Sequence, residues 1–391
     1  MKCAHVIGAG LSGLASAWHL ADRGFSVTVF EAAAAPGGLI RTHRTEHGIV
    51  ETAANAFVRD ARVEAWLSRL ELASVSPRRE SKRRYIFRER KPRRWPLTVG
   101  ESIVLTARLT RAAITRGFAA RPGESMAAWG TRVLGPGATE YLLQPAMQGI
   151  YAAPARDLSA AVIFNGRSRG RREMVAPVDG MGAFPTRLHQ RLVARGVRFE
   201  FNSVMTAVDA RVPTVIATDA ATASMLIGAV SPALASLIGR IRVSPLITVT
   251  AFFEPDEHDT HGFGVLFPAG CGISSMGVLF NADIFDSRSQ LRSETWIVGD
   301  RGRSLTSKND DELQAMLLVD RQALCGRSQT PLSIHISRWP RAIPVYDGGV
   351  AELQRHLNTL PPNLALAGNY LGTIGVSSLL AVAERAAARL G

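Results

Sequence analysis

Near the start of the chain, Gly8-Ala9-Gly10-Leu11-Ser12-Gly13 spaces three glycines as a backbone must to wrap a pyrophosphate. Gly8 permits the tight turn, Gly10 lets the main chain approach the phosphates, and Gly13 lets the following helix lie close to its strand. The acid that completes such a site stands at Glu31, whose carboxylate can accept both ribose hydroxyls and would repel a 2′-phosphate. The elements that must position these groups come in the required order. Residues 3–7 form a short apolar strand, residues 14–21 read as a helix ending near Gly24, and residues 25–30 form a second strand closing on Glu31. The helix would turn its free N–H groups and partial positive charge toward the phosphates.

A second glycine pair follows in Ala35-Pro36-Gly37-Gly38-Leu39-Ile40-Arg41. Two glycines let a loop approach a second phosphate or a ring edge, and Arg41 can neutralise pyrophosphate charge. This loop resembles that of the flavin-containing amine oxidase superfamily, which makes FAD the expected cofactor. Later segments narrow the resemblance to the protoporphyrinogen/coproporphyrinogen oxidase family: Ile49-Val50-Glu51-Thr52-Ala53-Ala54-Asn55, Gln144-Pro145-Ala146-Met147-Gln148-Gly149-Ile150-Tyr151-Ala152, Pro177-Val178-Asp179-Gly180-Met181-Gly182, Gly262-Phe263-Gly264-Val265-Leu266-Phe267-Pro268, Arg338-Trp339-Pro340-Arg341-Ala342-Ile343-Pro344-Val345-Tyr346, and Ala367-Gly368-Asn369-Tyr370-Leu371-Gly372 with Gly375-Val376. The matches run in order along the whole chain.

The resemblance implies an α/β fold: a Rossmann-like FAD-binding domain of the amine-oxidase type (residues 1–76, 173–226 and 346–391), an interleaved α+β substrate domain (77–96 and 227–345), and a small helical domain (97–172). It implies non-covalent FAD held by Gly8, Gly10, Leu11, Ser12, Gly13, Glu31, Ala32, Gly37, Gly38, Arg41, Val204, Gly368, Asn369, Gly375 and Val376. It implies a porphyrinogen substrate, with Leu266 and Phe285 sandwiching the ring, Arg84 holding a propionate, and dioxygen reoxidising the flavin. No side-chain base is assigned, because hydride acceptance belongs to the cofactor. The sequence departs from the family at Ala53 and Thr373, where the family has glycine, and the stretch 204–214 is compressed. These departures leave open another small heterocyclic or carboxylated substrate of specialised metabolism.

Residues 243–254 and 332–337 read as strands, the second alternating with period two. Residues 377–390 read as an alanine-rich helix capped by Ser377 or Ser378, its N-terminus aimed at the flavin edge where negative charge gathers on reduction. Residues 97–145 read as helices broken at Arg121-Pro122-Gly123 and Gly135-Pro136-Gly137. In the family this region rests on a membrane. Here Ile103, Val104, Leu105, Leu109, Ile114 and Phe118 form no single stripe, so packing between helices is expected ahead of membrane docking.

The 391 residues suffice for two or three domains, and 46% hydrophobic with 20% charged residues describes a globular chain. The formal charge is +13, and ten basic residues against Glu80 and Glu89 lie between residues 78 and 94. Arg167, Arg169, Arg171 and Arg172 form a second basic group. Such clusters attract anions. Without a helix-turn-helix, RNP-like or zinc-finger pattern, nucleic acid is not the expected partner, while an anionic small substrate or membrane surface fits. Cys3, Cys271 and Cys325 form no disulfide framework or CxxC site, and suggest a reducing, cytoplasmic setting. No secretory leader, bilayer-spanning stretch or metal motif is read. Gly166-Arg167-Ser168-Arg169-Gly170 matches GxSxG, but its arginine-rich continuation does not read as the helix a nucleophile elbow needs. Lys2, Lys82, Lys91 and Lys308 are the only lysines, and none suits the flavin-side lysine of the amine oxidase branch. No cysteine falls in the terminal loop to attach a flavin covalently.

Overall fold

The structure, a computed structural model, describes residues 2–165, 173–257, 259–300 and 304–391. The second arginine group and the GxSxG match lie outside the described residues.

Two sheets organise the chain. The first has five parallel strands in the order Arg198–Glu200, Ser26–Phe30, Cys3–Ile7, Thr214–Ile216 and Leu364–Leu366. Val6, Val27, Val29, Val215 and Ala365 are buried in its core, as expected for parallel strands covered on both faces. Helix Leu11–Asp22 leaves the first strand, and the C-terminal helix Val376–Leu390 packs beside it through Leu380, Ala383 and Ala387. The amino-terminal and carboxy-terminal motifs thus fold into one unit. From Ile7 the chain moves to the strand on one side, while Thr214–Ile216 lies on the other, so the strand order reverses at this switch point, where open parallel sheets take their ligands.

The second sheet has seven strands: Ser333–Pro344, Val243–Phe253, Arg292–Val298, Gly277–Phe280, Gly264–Leu266, Arg84–Arg88 and Lys91–Arg93. Pairing is antiparallel except between Gly264–Leu266 and Arg84–Arg88. Ile247, Val249, Ala251, Val265, Trp296 and Val298 pack on one face against Leu313 and Leu317 of helix Asp310–Cys325. That helix starts in a capping box between Asn309 and Glu312. The opposite face turns toward the parallel-sheet unit: the Thr248 hydroxyl donates to the Thr52 carbonyl at 3.0 Å.

All five parallel strands fall in the residues assigned to the dinucleotide domain, and all seven strands of the second sheet in those assigned to the substrate domain. One boundary moves. Helix Pro232–Gly239 buries Leu234, Ala235 and Ile238 with Ala223 and Ile227 and with Val350, inside the core shared with the parallel sheet. The passage between units therefore falls near Arg242 rather than at 226/227, because apolar burial draws this helix onto its sequence neighbour.

The helical region comprises Val99–Ile114, Met126–Val133 and Pro136–Ala138, a π turn at Thr139–Leu143, and Gln144–Tyr151. The expectation that its apolar residues are covered by helix packing is corrected. On Val99–Ile114 only Leu105 and Ala112 are buried, whereas Val99, Ile103 and Ile114 are 80%, 64% and 79% exposed. Leu109, Val104 and Phe118 are exposed as well. Among the described residues, packing reaches one edge of this helix and leaves most of its apolar side chains exposed. Among the described residues no helix is long and apolar enough to cross a membrane.

Candidate active site

The amino-terminal cradle is built from main chain. Gly8 has φ +102°, and a Cβ there would lie 2.7 Å from the Ala217 carbonyl oxygen. Leu11 and Ser12 open the helix and are buried, and Gly10 caps it with no side-chain hydrogen bond. The first helical N–H groups therefore have no capping side chain to satisfy them. The Gly37-Gly38 loop docks directly on this turn. Gly37 donates its N–H to the Ala9 carbonyl at 2.9 Å and forms an isolated parallel bridge with Gly10. A Cβ on Gly38, at φ +58°, would stand 3.2 Å from the Gly10 Cα. Arg41 is exposed, its Nε donating to the Gly38 carbonyl at 3.1 Å.

Glu31 closes the ribose end. Its carboxylate accepts the Ala9 N–H at 2.6 Å and the Ala33 N–H at 2.8 Å, which fixes both oxygens at the tip of the second strand. Ala32 between them is exposed. The Asn202 and Ser203 N–H groups donate to the Ala33 and Glu31 carbonyls, setting Val204 at the same end with its side chain 70% exposed.

The carboxy-terminal wall comes from the loop after Leu364–Leu366. Gly368 packs so tightly that a Cβ would meet the Tyr370 ring at 2.5 Å. The Asn369 Nδ2 donates to the Ala342 carbonyl at 3.2 Å, and the Asn369 carbonyl accepts the Tyr346 hydroxyl at 2.9 Å. Gly375 caps the last helix without a side-chain bond, and Val376 is its first residue. The expected serine cap is corrected: Ser377 lies inside the helix and its hydroxyl donates to Asp60, itself the cap of Ala61–Arg69. The helix N-terminus is thereby left for a ligand group rather than a side chain.

The residues fit FAD on a steric observation. Where fold packing demands glycine, at Gly8 and Gly13, a Cβ would strike backbone. At Gly10 and Gly375 no described residue beyond the chain neighbours lies closer to that position than 3.9 Å and 3.8 Å. These two glycines leave room beside the backbone that no described residue fills. Neither Ala53 nor Thr373 has positive φ, so their replacement of glycine costs no backbone strain and acts only through the added atoms.

On the substrate sheet, register brings Arg84, Ile86 and Leu266 to one face. Arg84 pairs with Gly264 and Ile86 with Leu266, while the intervening Tyr85 and Val265, and Phe87 beyond them, point to the helix-covered side. Arg84 is exposed, with its guanidinium 4.5 Å over the Phe263 ring. The Leu266 side chain is wedged between two glycines, since a Cβ at Gly149 or Gly277 would lie 2.7 Å or 3.2 Å from its Cδ2. The expectation for Phe285 is corrected. Its ring is 1% exposed and belongs to the core formed with Phe184 and Val376, with the Arg288 guanidinium 5.2 Å above it. Packing has taken both of its faces.

Sequence reasoning passed over the joint at Glu51 and Thr52. The Glu51 carboxylate is buried against Thr42 Oγ1 at 2.6 Å, the Met181 N–H at 2.8 Å and Arg288 Nη1 at 3.0 Å. Burial raises the Glu51 carboxyl above its ordinary range and lowers the Arg288 guanidinium, so both partners are pushed toward neutrality. Thr52 donates its N–H and hydroxyl to the Arg41 carbonyl, and its own carbonyl accepts from Thr248 and from Trp339 Nε1 at 2.8 Å. The apolar run before Glu51 was the only local signal that a carboxylate here would be buried. In the basic stretch, Arg88 makes two bonds to Glu101 at 2.6 and 3.2 Å, a structural pair rather than a free cation. Arg79, Lys82, Arg83, Arg90 and Arg94 are exposed.

Comparison with known proteins agrees with this geometry. A family model described as flavin containing amine oxidoreductase matches residues 11–390. Protoporphyrinogen oxidase 2 of Arabidopsis thaliana is 25% identical over 98% of this chain and 92% of its own length. Coproporphyrinogen III oxidase of Mycobacterium leprae is 24% identical over 97% of this chain and 96% of its own. The crystal structure of a reduced UDP-galactopyranose mutase superposes with a TM-score of 0.81 at 14% identity, covering 99% of this chain and 95% of that one, a likeness of fold.

Proposed function

The chain belongs to the flavin-containing amine oxidoreductase family, and on that premise we propose that this FAD-dependent oxidoreductase is an oxidase of porphyrinogen-type substrates. The observation that carries the reading is the Arg84–Ile86–Leu266 face, a cation beside an apolar row on the sheet side turned toward the flavin unit. Similarity to porphyrinogen oxidases of two kinds, over nearly the whole chain, supports it.

When bound, FAD supplies a two-electron acceptor, with dioxygen as the proposed terminal oxidant. The chain supplies binding and alignment. The apolar row receives a flat macrocycle, and Arg84 forms a charge-assisted hydrogen bond with a propionate, a contact worth roughly 1.5–3 kcal/mol. Gly149 of helix Gln144–Tyr151 packs against Leu266 and holds that side chain in place.

The test is anaerobic mixing with protoporphyrinogen and coproporphyrinogen side by side. Rapid loss of flavin absorbance with one of them is expected, and Arg84→Ala is expected to raise KM more than it lowers the limiting rate. Failure of both compounds to reduce the flavin overturns the reading. A second reading, oxidation of a smaller carboxylated or heterocyclic metabolite, draws on the tight seat of Leu266 and the Ala53 methyl. Reduction by such a compound but not by either porphyrinogen would select it.

We further propose a cytoplasmic protein that attaches peripherally to membrane. The uncovered Val99, Ile103 and Ile114, near the exposed Arg90, Lys91 and Arg94, support this reading. Co-sedimentation with anionic vesicles that is lost in Ile103→Ser/Ile114→Ser is expected. Equal sedimentation of the variant would refute it.

A further inference from the structure

The strand Ser333–Pro344 is regular along most of its length and then breaks where it reaches the cofactor unit. Its pairing with Val243–Phe253 runs in step from Ser333 opposite Phe252 to Trp339 opposite Leu246, and resumes with Ile343 opposite Ser244. Three residues of one strand, Pro340 to Ala342, thus lie against the single Pro245 of its partner. Bulges of this kind bend a strand and re-aim its side chains. Pro340 sits in the irregular stretch, and the strand is at the sheet edge, where proline removes no ladder bond.

The bulge sends groups to both walls of the flavin crevice. Before it, Trp339 Nε1 donates to the Thr52 carbonyl at 2.8 Å. Thr52 is tied in turn to Leu39 and Arg41, next to the second glycine pair. Within it, the Ala342 carbonyl accepts from Asn369 Nδ2 at 3.2 Å. Just after it, the Tyr346 hydroxyl donates to the Asn369 carbonyl at 2.9 Å. Asn369 lies in the carboxy-terminal loop that leads to Gly375 and the last helix. The segment from Trp339 to Tyr346 therefore bonds to Thr52, beside the glycine pair, at one end and to Asn369, in the carboxy-terminal loop, at the other.

Ala53 to Ala56 run from the Thr52 joint toward Asp60, which meets Ser377 on the last helix, and Ala54 and Ala56 pack against the core that contains Val376. The setting of this stretch is inherited from its ends. Thr248 is the second donor to the Thr52 carbonyl, so that oxygen keeps one partner if the other is removed. A carbonyl that accepts two bonds is fixed in direction as well as in distance.

We propose that the bulged segment from Trp339 to Tyr346 acts as a spacer that sets the separation of the two crevice walls, with Trp339 and Tyr346 as positioning residues for the flavin ring. The inference rests on FAD binding and not on the identity of the substrate. Neither residue has to touch the reacting atoms. Each fixes a main-chain carbonyl, Thr52 on one wall and Asn369 on the other, and those carbonyls orient the peptides that border the ring.

The experiment uses purified protein reconstituted with FAD and reads the bound flavin without any substrate. Trp339→Phe and Tyr346→Phe remove one donor each and keep the aromatic volume. Both are expected to change the visible circular dichroism of the bound flavin and to raise the FAD dissociation constant by about three- to tenfold, the effect of one net hydrogen bond. Thr248→Val should produce the same spectral change as Trp339→Phe, because it acts on the same carbonyl, and Thr248→Ser should restore the wild-type spectrum. Wild-type dichroism and an FAD affinity within twofold in both aromatic variants would overturn the proposal. So would a spectral change in Thr248→Val that Thr248→Ser fails to reverse. If an aromatic variant does not fold, the Thr248 pair decides alone. A wild-type chain that takes up no FAD would instead overturn the cofactor assignment, which keeps the two failures apart.

Discussion

A Cβ placed on Gly13 would lie 1.8 Å from the carbonyl oxygen of Gly8, so these two glycines are interlocked by packing of the first helix on the first strand. Gly10 between them is free of that constraint, its nearest protein atom being the Gly38 Cα at 3.9 Å. The two glycine types should respond differently to substitution. Gly13→Ala is expected to lower the melting temperature with or without cofactor, because backbone has to move. Gly10→Val is expected to fold and yet purify colourless. Thermal melts of the apoprotein and the ratio of flavin to protein check both, and a yellow Gly10→Val would show that the cradle is used differently.

Phe285 gives a test that separates packing from substrate contact. With both ring faces in the core, Phe285→Ala is expected to cost about 3–5 kcal/mol of folding stability. Urea denaturation measures this. A variant of near wild-type stability with a raised KM would return the ring to the substrate site.

The Glu51–Arg288 pair is buried, and removing one partner strands the other. Arg288→Met is expected to destabilise the protein by about 3 kcal/mol, and adding Glu51→Gln in the same chain should recover part of the loss. Because burial raises the Glu51 carboxyl, its proton is favoured by the folded state. The single variant Arg288→Met should therefore regain stability as pH falls toward the acid range, while the double variant should not. Equal pH slopes in the two would contradict the assignment.

Arg88 and Glu101 behave in the opposite sense. The two hydrogen bonds from Arg88 hold the Glu101 carboxyl down at about 2. A folded-state value below the unfolded one stabilises above the ordinary glutamate range and is lost as pH falls from there toward 2. Glu101 also closes the capping box of helix Val99–Ile114 with Thr98, so the pair joins the basic hairpin to the helical region. Glu101→Gln is expected to lower stability near neutrality and to flatten the acid limb of the stability curve below pH 4.5, as followed by circular dichroism. An unchanged acid limb would remove this pair from the account.

The nucleotide cradle was legible because its signals are local. Glycine spacing, a helix start and an acid at a strand end lie within the first 31 residues, and the structure joins the turn to that acid through the Ala9–Glu31 bond. The second glycine pair was legible for the same reason, although its docking on Gly10 was not. Face assignments on the substrate sheet were harder to see. Arg84 and Leu266 share a side only because strands 180 residues apart pair in a given register, and a slip of one residue would reverse it. The apolar residues of Val99–Ile114 misled because burial depends on what lies opposite a helix, and nothing in the described structure lies opposite most of it.

The amino-acid order alone settled the cofactor unit, since strand, turn, helix and acid follow one another and steric rules leave few ways to close them. Tertiary structure decided which phenylalanine the core would claim, which helix would stay uncovered, and how Trp339 and Tyr346 come to donate to the Thr52 and Asn369 carbonyls. Those outcomes depend on contacts between segments far apart in the chain, where volume, register and hydrogen-bond direction are resolved together and leave no local trace.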